Sequence, residues 1–110
     1  MTAAPQRRRL ADRRGSAIFD FESMGMRFTA SVSRYDDGRI GELFIDNHKG
    51  GSAIGTLVRD AAIILSFALQ HGADAESIRR ALSRDSNGHP LGQLGVALDL
   101  LQEQTKAGAA

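Results

Sequence analysis

The chain has 110 residues and a mass of 11.8 kDa, with 42% hydrophobic and 25% charged residues, the balance of one folded domain rather than a disordered segment. It contains no cysteine, which excludes disulfide stapling, thiolate zinc sites, iron–sulfur ligation and thiol nucleophiles. The net charge of +1 is unevenly spread: residues 1–14 hold Arg7, Arg8, Arg9, Arg13 and Arg14 against Asp12, and the rest holds nine basic against twelve acidic groups.

This divides the chain into a basic arm over 1–14, a mildly acidic domain over 15–104 and a fraying tail over 105–110. The arm reads either as a solvated terminus or as a contact for nucleic-acid phosphates or an acidic protein, and no aromatic residue stands among its arginines. No apolar run of about 18 residues marks a membrane span, and no apolar leader opens the chain, so a cytoplasmic protein without membrane contact is expected.

The first half alternates with period two. In the segment 17–22, Phe19 and Phe21 oppose Asp20 and Glu22; in 26–33, Met26, Phe28, Ala30 and Val32 oppose Arg27, Thr29, Ser31 and Ser33. Both are half-buried strands. Ser23-Met24-Gly25 supplies a tight connection, and Asp36-Asp37-Gly38 is a hairpin signal. The third strand, 39–46, runs Leu43, Phe44 and Ile45 together, which predicts burial on both faces, as a central strand or against a second subunit.

From 53 to 71 the apolar residues recur at helical spacing, and Ile63, Ile64 and Phe67 widen the stripe until Arg59, Asp60, Ser66 and Gln70 are nearly all that remains polar. Such a helix should be buried on most sides, with Ser52 as N-cap and Gly72 just past its end. Two shorter helices follow, over 75–83 capped by Asp74 and over about 91–104, separated by the turn residues Asp85-Ser86-Asn87-Gly88-His89-Pro90. The predicted fold is therefore α+β: a three-stranded antiparallel meander packed against a long apolar helix, with two shorter C-terminal helices. The excess apolar surface of the long helix also predicts self-association.

The stretch Asn47, His48, Lys49, Gly50, Gly51 and Ser52 runs from a strand into a helix through two glycines. Open N–H groups and the positive end of the helix dipole make this a candidate anion site, with Lys49 as the charged contact; a plain capped turn explains the same residues. Arg79, Arg80 and Arg84 form a second, weaker candidate patch for an anion. His48, His71 and His89 stand 23 and 18 residues apart, which fits no compact metal motif, so no metal site is expected. His71 more simply meets the last carbonyls of its helix. Asp36 and Asp37 read as turn residues rather than a catalytic pair, and no serine occupies a nucleophile elbow, so no catalytic residue is assigned.

The run 38–53 (Gly38-Arg39-Ile40-Gly41-Glu42-Leu43-Phe44-Ile45-Asp46-Asn47-His48-Lys49-Gly50-Gly51-Ser52-Ala53) resembles a known module. The likeness continues through Arg59-Asp60-Ala61-Ala62, Leu69-Gln70-His71-Gly72, Ile78-Arg79-Arg80-Ala81-Leu82 and Asp85-Ser86-Asn87-Gly88, and Arg7-Arg8-Arg9-Leu10 with Arg13-Arg14 resembles the segment that precedes it. This is similar to the TSCPD domain, found near the C-terminus of adenosylcobalamin-dependent ribonucleotide reductases and as small free-standing proteins. The Thr-Ser-Cys-Pro-Asp motif itself is missing, and Asp85-Ser86-Asn87-Gly88-His89-Pro90 occupies the comparable loop. Nothing matches the reductase catalytic barrel or its radical cysteine.

The resemblance implies a free-standing accessory module, not catalytic alone, that binds a reductase-type protein or a nucleotide-like anion in deoxyribonucleotide synthesis. It would be a component of ribonucleoside-diphosphate reductase at most. No cofactor is expected on this chain, adenosylcobalamin entering only through a reductase partner. The alternative is a homodimeric interaction module whose basic arm contacts nucleic acid or an acidic protein.

Overall fold

A computed structural model describes residues 6–10, 16–49 and 52–109, including every side chain but those of Ser16 and of 106–109. Three alternating segments pair as strands β1 (Ser16–Ser23), β2 (Met26–Arg34) and β3 (Ile40–Asn47), antiparallel and in the order β1-β2-β3. The first hairpin turns at Met24-Gly25, both with positive φ (54° and 75°), the mirror-image turn whose twist matches that of the flanking strands. The register sets Ala17–Val32–Leu43, Phe19–Ala30–Ile45 and Phe21–Phe28–Asn47 in rows on one face. The opposite face carries the rows Ile18–Ser31–Phe44 and Asp20–Thr29–Asp46.

Helices α1 (Ala53–Gln70), α2 (Ala75–Ala81) and α3 (Gln93–Ala109) follow. The apolar sheet face is closed by Val58, Ala62, Leu65 and Leu69 of α1 and by Ala97, Leu98 and Leu101 of α3. Phe28, Leu43, Ile45 and Leu101 are the largest fully buried side chains, each contributing roughly 1.5–3 kcal/mol through removal from water. The architecture is α+β, as the change of period near residue 50 predicts. Ser52 caps α1 by accepting from Gly55 N, and Asp74 caps α2 by accepting from Ser77 N.

Four expectations need correction. β3 is an edge strand, and β2 is the central one. In the Leu43-Phe44-Ile45 run only Leu43 and Ile45 face the core, while Phe44 points outward and is 42% exposed. Nor is α1 buried on most sides: Leu57 and Ile64 are 68% and 69% exposed, whereas Ser66 and Gln70 are among its buried residues. The reason is that α1 seals the free edge of β3. Ser66 Oγ accepts from Leu43 N at 2.9 Å and lies 3.0 Å from Leu43 O, and Gln70 Nε2 donates to Gly41 O at 2.9 Å.

α1 is also 18 residues long with a mean hydropathy of 1.4, long and apolar enough to cross a membrane by length and composition, contrary to the sequence expectation. Here it is built into the globular fold by these bonds and by the Arg59–Asp46 ion pair at 2.8 Å. Lastly, α3 continues to Ala109, past the boundary at 104, while α2 stops at Ala81, short of 83.

The described part of the basic arm is docked on the domain. Arg8 N donates to Gln70 O at 2.6 Å, Tyr35 Oη donates to Arg8 O, and Arg7 Nε donates to Gln70 Oε1. Leu10 packs where a Cβ on Gly41 would come within 3.0 Å of it and 2.8 Å of Tyr35, so the missing side chain at Gly41 makes the docking space. Arg7 lies 4.1 Å from the Phe67 ring centroid and Arg8 lies 4.3 Å from that of Tyr35. Folding thus supplies the aromatic partners that the linear arm lacks.

Candidate functional site

β3 ends at Asn47, whose amide organises the turn into α1. Its Oδ1 accepts from Lys49 N at 2.9 Å and its Nδ2 donates to Ser52 Oγ at 3.1 Å. Ser52 Oγ in turn accepts from Gly55 N at 2.9 Å, and Ser52 O accepts from Thr56 N. A Cβ on Gly55 would lie 2.9 Å from Ser52 Oγ and 3.1 Å from Asn47 Cβ, so a glycine is what lets the turn close on the first helical residues. Asn47 and Ser52 thus tie the end of β3 to the start of α1.

His48 leaves the turn. Its backbone N bonds Arg27 O, continuing the β2 ladder, and its ring lies on the outer face of the sheet with Nε2 2.6 Å from Thr29 Oγ1. Thr29 donates its single hydroxyl proton to Asp20 at 2.7 Å, so Nε2 is the donor in a chain from His48 through Thr29 to Asp20. The Thr29 hydroxyl, seconded by His48 and Arg27, holds the Asp20 carboxyl below its ordinary range. Lys49 is exposed and its ammonium has no hydrogen-bond or ion-pair partner among the described residues. Gly50 and Gly51 lie outside the described residues. Of the six predicted positions, Asn47 and Ser52 therefore build the turn, Lys49 presents free charge, and His48 is turned away.

Arg79, Arg80 and Arg84 do not gather as one free patch. Arg84 grips Asp99 with two bonds of 2.7 and 2.9 Å, Arg79 reaches the same carboxylate at 3.0 Å, and Arg79 also pairs with Glu76. Arg84 further donates to Gly88 O and Arg79 O, tying the 85–88 loop to the end of α2. Only Arg80 stays largely in solvent, 69% exposed and 3.6 Å from Glu76. The bonds from Arg84 and then Arg79 pull the Asp99 carboxyl down to about 2. His71 Nδ1 meets Phe67 O at 2.8 Å, the helix-end role expected of it, and His89 sits 3.6 Å from Asp85 in the loop.

Sequence reasoning missed several contributors. Asp99, on a late helix, is the counter-ion of two arginines 15 and 20 residues away. Gly55 hides inside a helical pattern. Tyr35 sits beside a turn that reads as connection only and Arg39 opens the predicted third strand, yet with Arg34 they line a cleft of about 330 Å³ floored by Leu69, Leu98 and Leu101.

The chain is similar to vitamin B12-dependent ribonucleotide reductases of three bacteria. It is 37% identical to that of Bradyrhizobium diazoefficiens over 61% of the chain, 40% identical to that of Rhodopirellula baltica over 67%, and 33% identical to that of Agrobacterium fabrum over 71%. These matches bear out the resemblance to a reductase-borne module. The chain spans only 5–7% of the length of these relatives. No protein-family model matches it, and no solved structure does.

Proposed function

From its kinship with a short segment of the vitamin B12-dependent ribonucleotide reductases, we propose that this chain is a cytoplasmic accessory module of deoxyribonucleotide synthesis. It docks on a reductase-type protein and holds a nucleotide-like anion at the 47–52 turn, doing no chemistry alone and meeting adenosylcobalamin only through its partner. The observation that carries the anion reading is Lys49, a cation with no partner among the described residues, beside a helix start fixed by Asn47 and Ser52. The Ser52 hydroxyl satisfies the Gly55 amide, and the remaining N–H groups of the first turn and the helix dipole favour a phosphate oxygen there.

The test is titration with nucleoside di- and triphosphates. Lys49→Ala should weaken binding about tenfold, the effect of one lost charge-assisted contact of roughly 1.4 kcal/mol. Stability should stay within about 0.5 kcal/mol, because the side chain is exposed. Raising the salt should weaken the wild type more than the variant. A wild type that binds none of these nucleotides at millimolar concentration leaves the turn as a cap only.

One observation favours the alternative, a homodimeric interaction module. Ile54, Leu57 and Ile64 stand at helical spacing on the outward side of α1, 39%, 68% and 69% exposed, with Ala61 and Ala68 in the same row. Residues spaced three and four apart in this way form a continuous apolar seam. In that reading the basic arm serves nucleic acid or an acidic protein, with Arg9 exposed while Arg7 and Arg8 lie over Phe67 and Tyr35. Sedimentation at about 50 μM should then show a dimer, and Leu57→Glu with Ile64→Glu a monomer of unchanged helicity, since association follows mass action. A wild type that sediments as a monomer removes the alternative.

A further inference from the structure

The cleft of about 330 Å³ lies at the far end of α1 from the 47–52 turn, between the β2–β3 hairpin, the start of α2 and α3. An 18-residue helix spans about 27 Å, so the two places are separate sites. The cleft floor is apolar: Leu69, Leu98 and Leu101 are 5%, 3% and 2% exposed and present their remaining surface to it. One rim is cationic. Arg34 donates from Nη1 to Gly38 O at 2.9 Å, and Arg39 pairs through Nε with Asp37 at 2.8 Å. A guanidinium has five donors, so each retains several toward a ligand. Arg39 also lies 5.4 Å from the ring of Tyr35, a lining residue, and Arg8 lies 4.3 Å from the same ring without itself lining the cleft.

The opposite rim carries acidic residues that are already engaged. Glu76 is paired with Arg79 and Arg80, and Asp74 accepts from Ser77 N and Oγ. Glu76 is thereby neutralised while Asp74 keeps its charge, and Arg34, which has no carboxylate partner among the described residues, makes the hairpin side the cationic face that a ligand anion meets. An apolar floor beside a few convergent polar groups is the usual anatomy of a small-molecule site. We infer that this cleft binds a small organic anion, its apolar body on the leucine floor and its phosphate or carboxylate at Arg34 and Arg39.

The chain offers its own reporter, because Tyr35 is its single tyrosine and it has no tryptophan. Hexyl phosphate added to the full chain should change Tyr35 fluorescence saturably, with a Kd of about 1 mM, as expected for a ligand of this size. Hexanol and inorganic phosphate, each supplying half of the recognition, should not saturate in that range. Tighter binding of hexyl phosphate than of hexanoate would identify a phosphomonoester site, and the reverse a carboxylate site. Arg34→Gln with Arg39→Gln should weaken binding at least about tenfold, the loss of charge-assisted bonds.

Gln102→Phe, which fills the cleft from α3 without touching the arginines, should abolish the response while far-UV circular dichroism stays unchanged. Lys49→Ala should leave it intact, so failure here and failure of the turn reading are separable. The inference is overturned by a wild type without a saturable response, by a Kd unaltered in both the arginine and Gln102 variants, or by inorganic phosphate binding as well as hexyl phosphate.

Discussion

Asp99→Asn should lower stability by about 2 kcal/mol near neutral pH, and the loss should shrink on acidification. Asp99 is the common acceptor for Arg84 and Arg79, and the three side chains are only 25%, 21% and 20% exposed. Removing one partner leaves two half-buried guanidiniums without full compensation, which is worse than never having had the pair. The same bonds depress the Asp99 carboxyl to about 2 in the folded state, against 3.8 ordinarily. A depressed folded-state value means that the stabilisation is present above about pH 4 and is lost as pH falls through about 2.

Urea midpoints of wild type and variant should therefore differ near pH 7 and converge near pH 2. Asp60→Asn, which removes an exposed carboxylate on α1, should shift the midpoint little at either pH. If the Asp99 variant matches wild type at neutral pH, the cluster contributes nothing and its arginines are free to serve as an anion patch.

That cluster also shows where a sequence stops being legible. Ser52 and Asp74 were readable as caps because capping needs only a short polar side chain three residues before a helical amide, a local relation. The strands were readable for the same reason: Phe28, Ala30 and Val32 alternate with Thr29 and Ser31, and a sheet with one wet face requires it. The Arg79 and Arg84 contacts depend on how α3 packs under α2, a relation between elements that spacing along the chain does not encode. His48 illustrates this at the candidate site. Its place beside Lys49 put it in the candidate anion stretch, but the pleat sends successive side chains to opposite faces, so His48 joins Thr29 and Asp20. Asn47 acts as a brace rather than a ligand group because its amide is consumed by Lys49 N and Ser52 Oγ.

The other misreading, of α1 and β3, leads to the second large effect. A nearly all-apolar helix and an apolar strand run both point to two-sided burial, yet an edge strand carries a row of backbone groups that need partners. Here the partners come from the two polar residues on the side of α1 that faces β3. Ser66→Ala should therefore destabilise the fold by about 2 kcal/mol, although it removes one atom and raises helix propensity. The hydroxyl is 4% exposed, accepts from Leu43 N at 2.9 Å and can donate to Leu43 O or to Ala62 O. Alanine leaves the Leu43 amide buried and unpaired, and the desolvation penalty of that donor outweighs the propensity gain.

Amide hydrogen exchange is the direct readout. In the wild type the Leu43 N–H should exchange only on global opening, since Leu43 is completely buried. In Ser66→Ala it should exchange markedly faster, while the Ala30 and Val32 amides of the central strand slow or quicken only with global stability. Gln70→Met, which removes the bond to Gly41 O and the acceptor for Arg7, should in addition release the docked segment 6–10, read as loss of Tyr35 quenching. If Ser66→Ala unfolds at the wild-type urea concentration and Leu43 stays protected, the edge of β3 is sealed by packing alone, and Ser66 is a polar residue that the core merely tolerates.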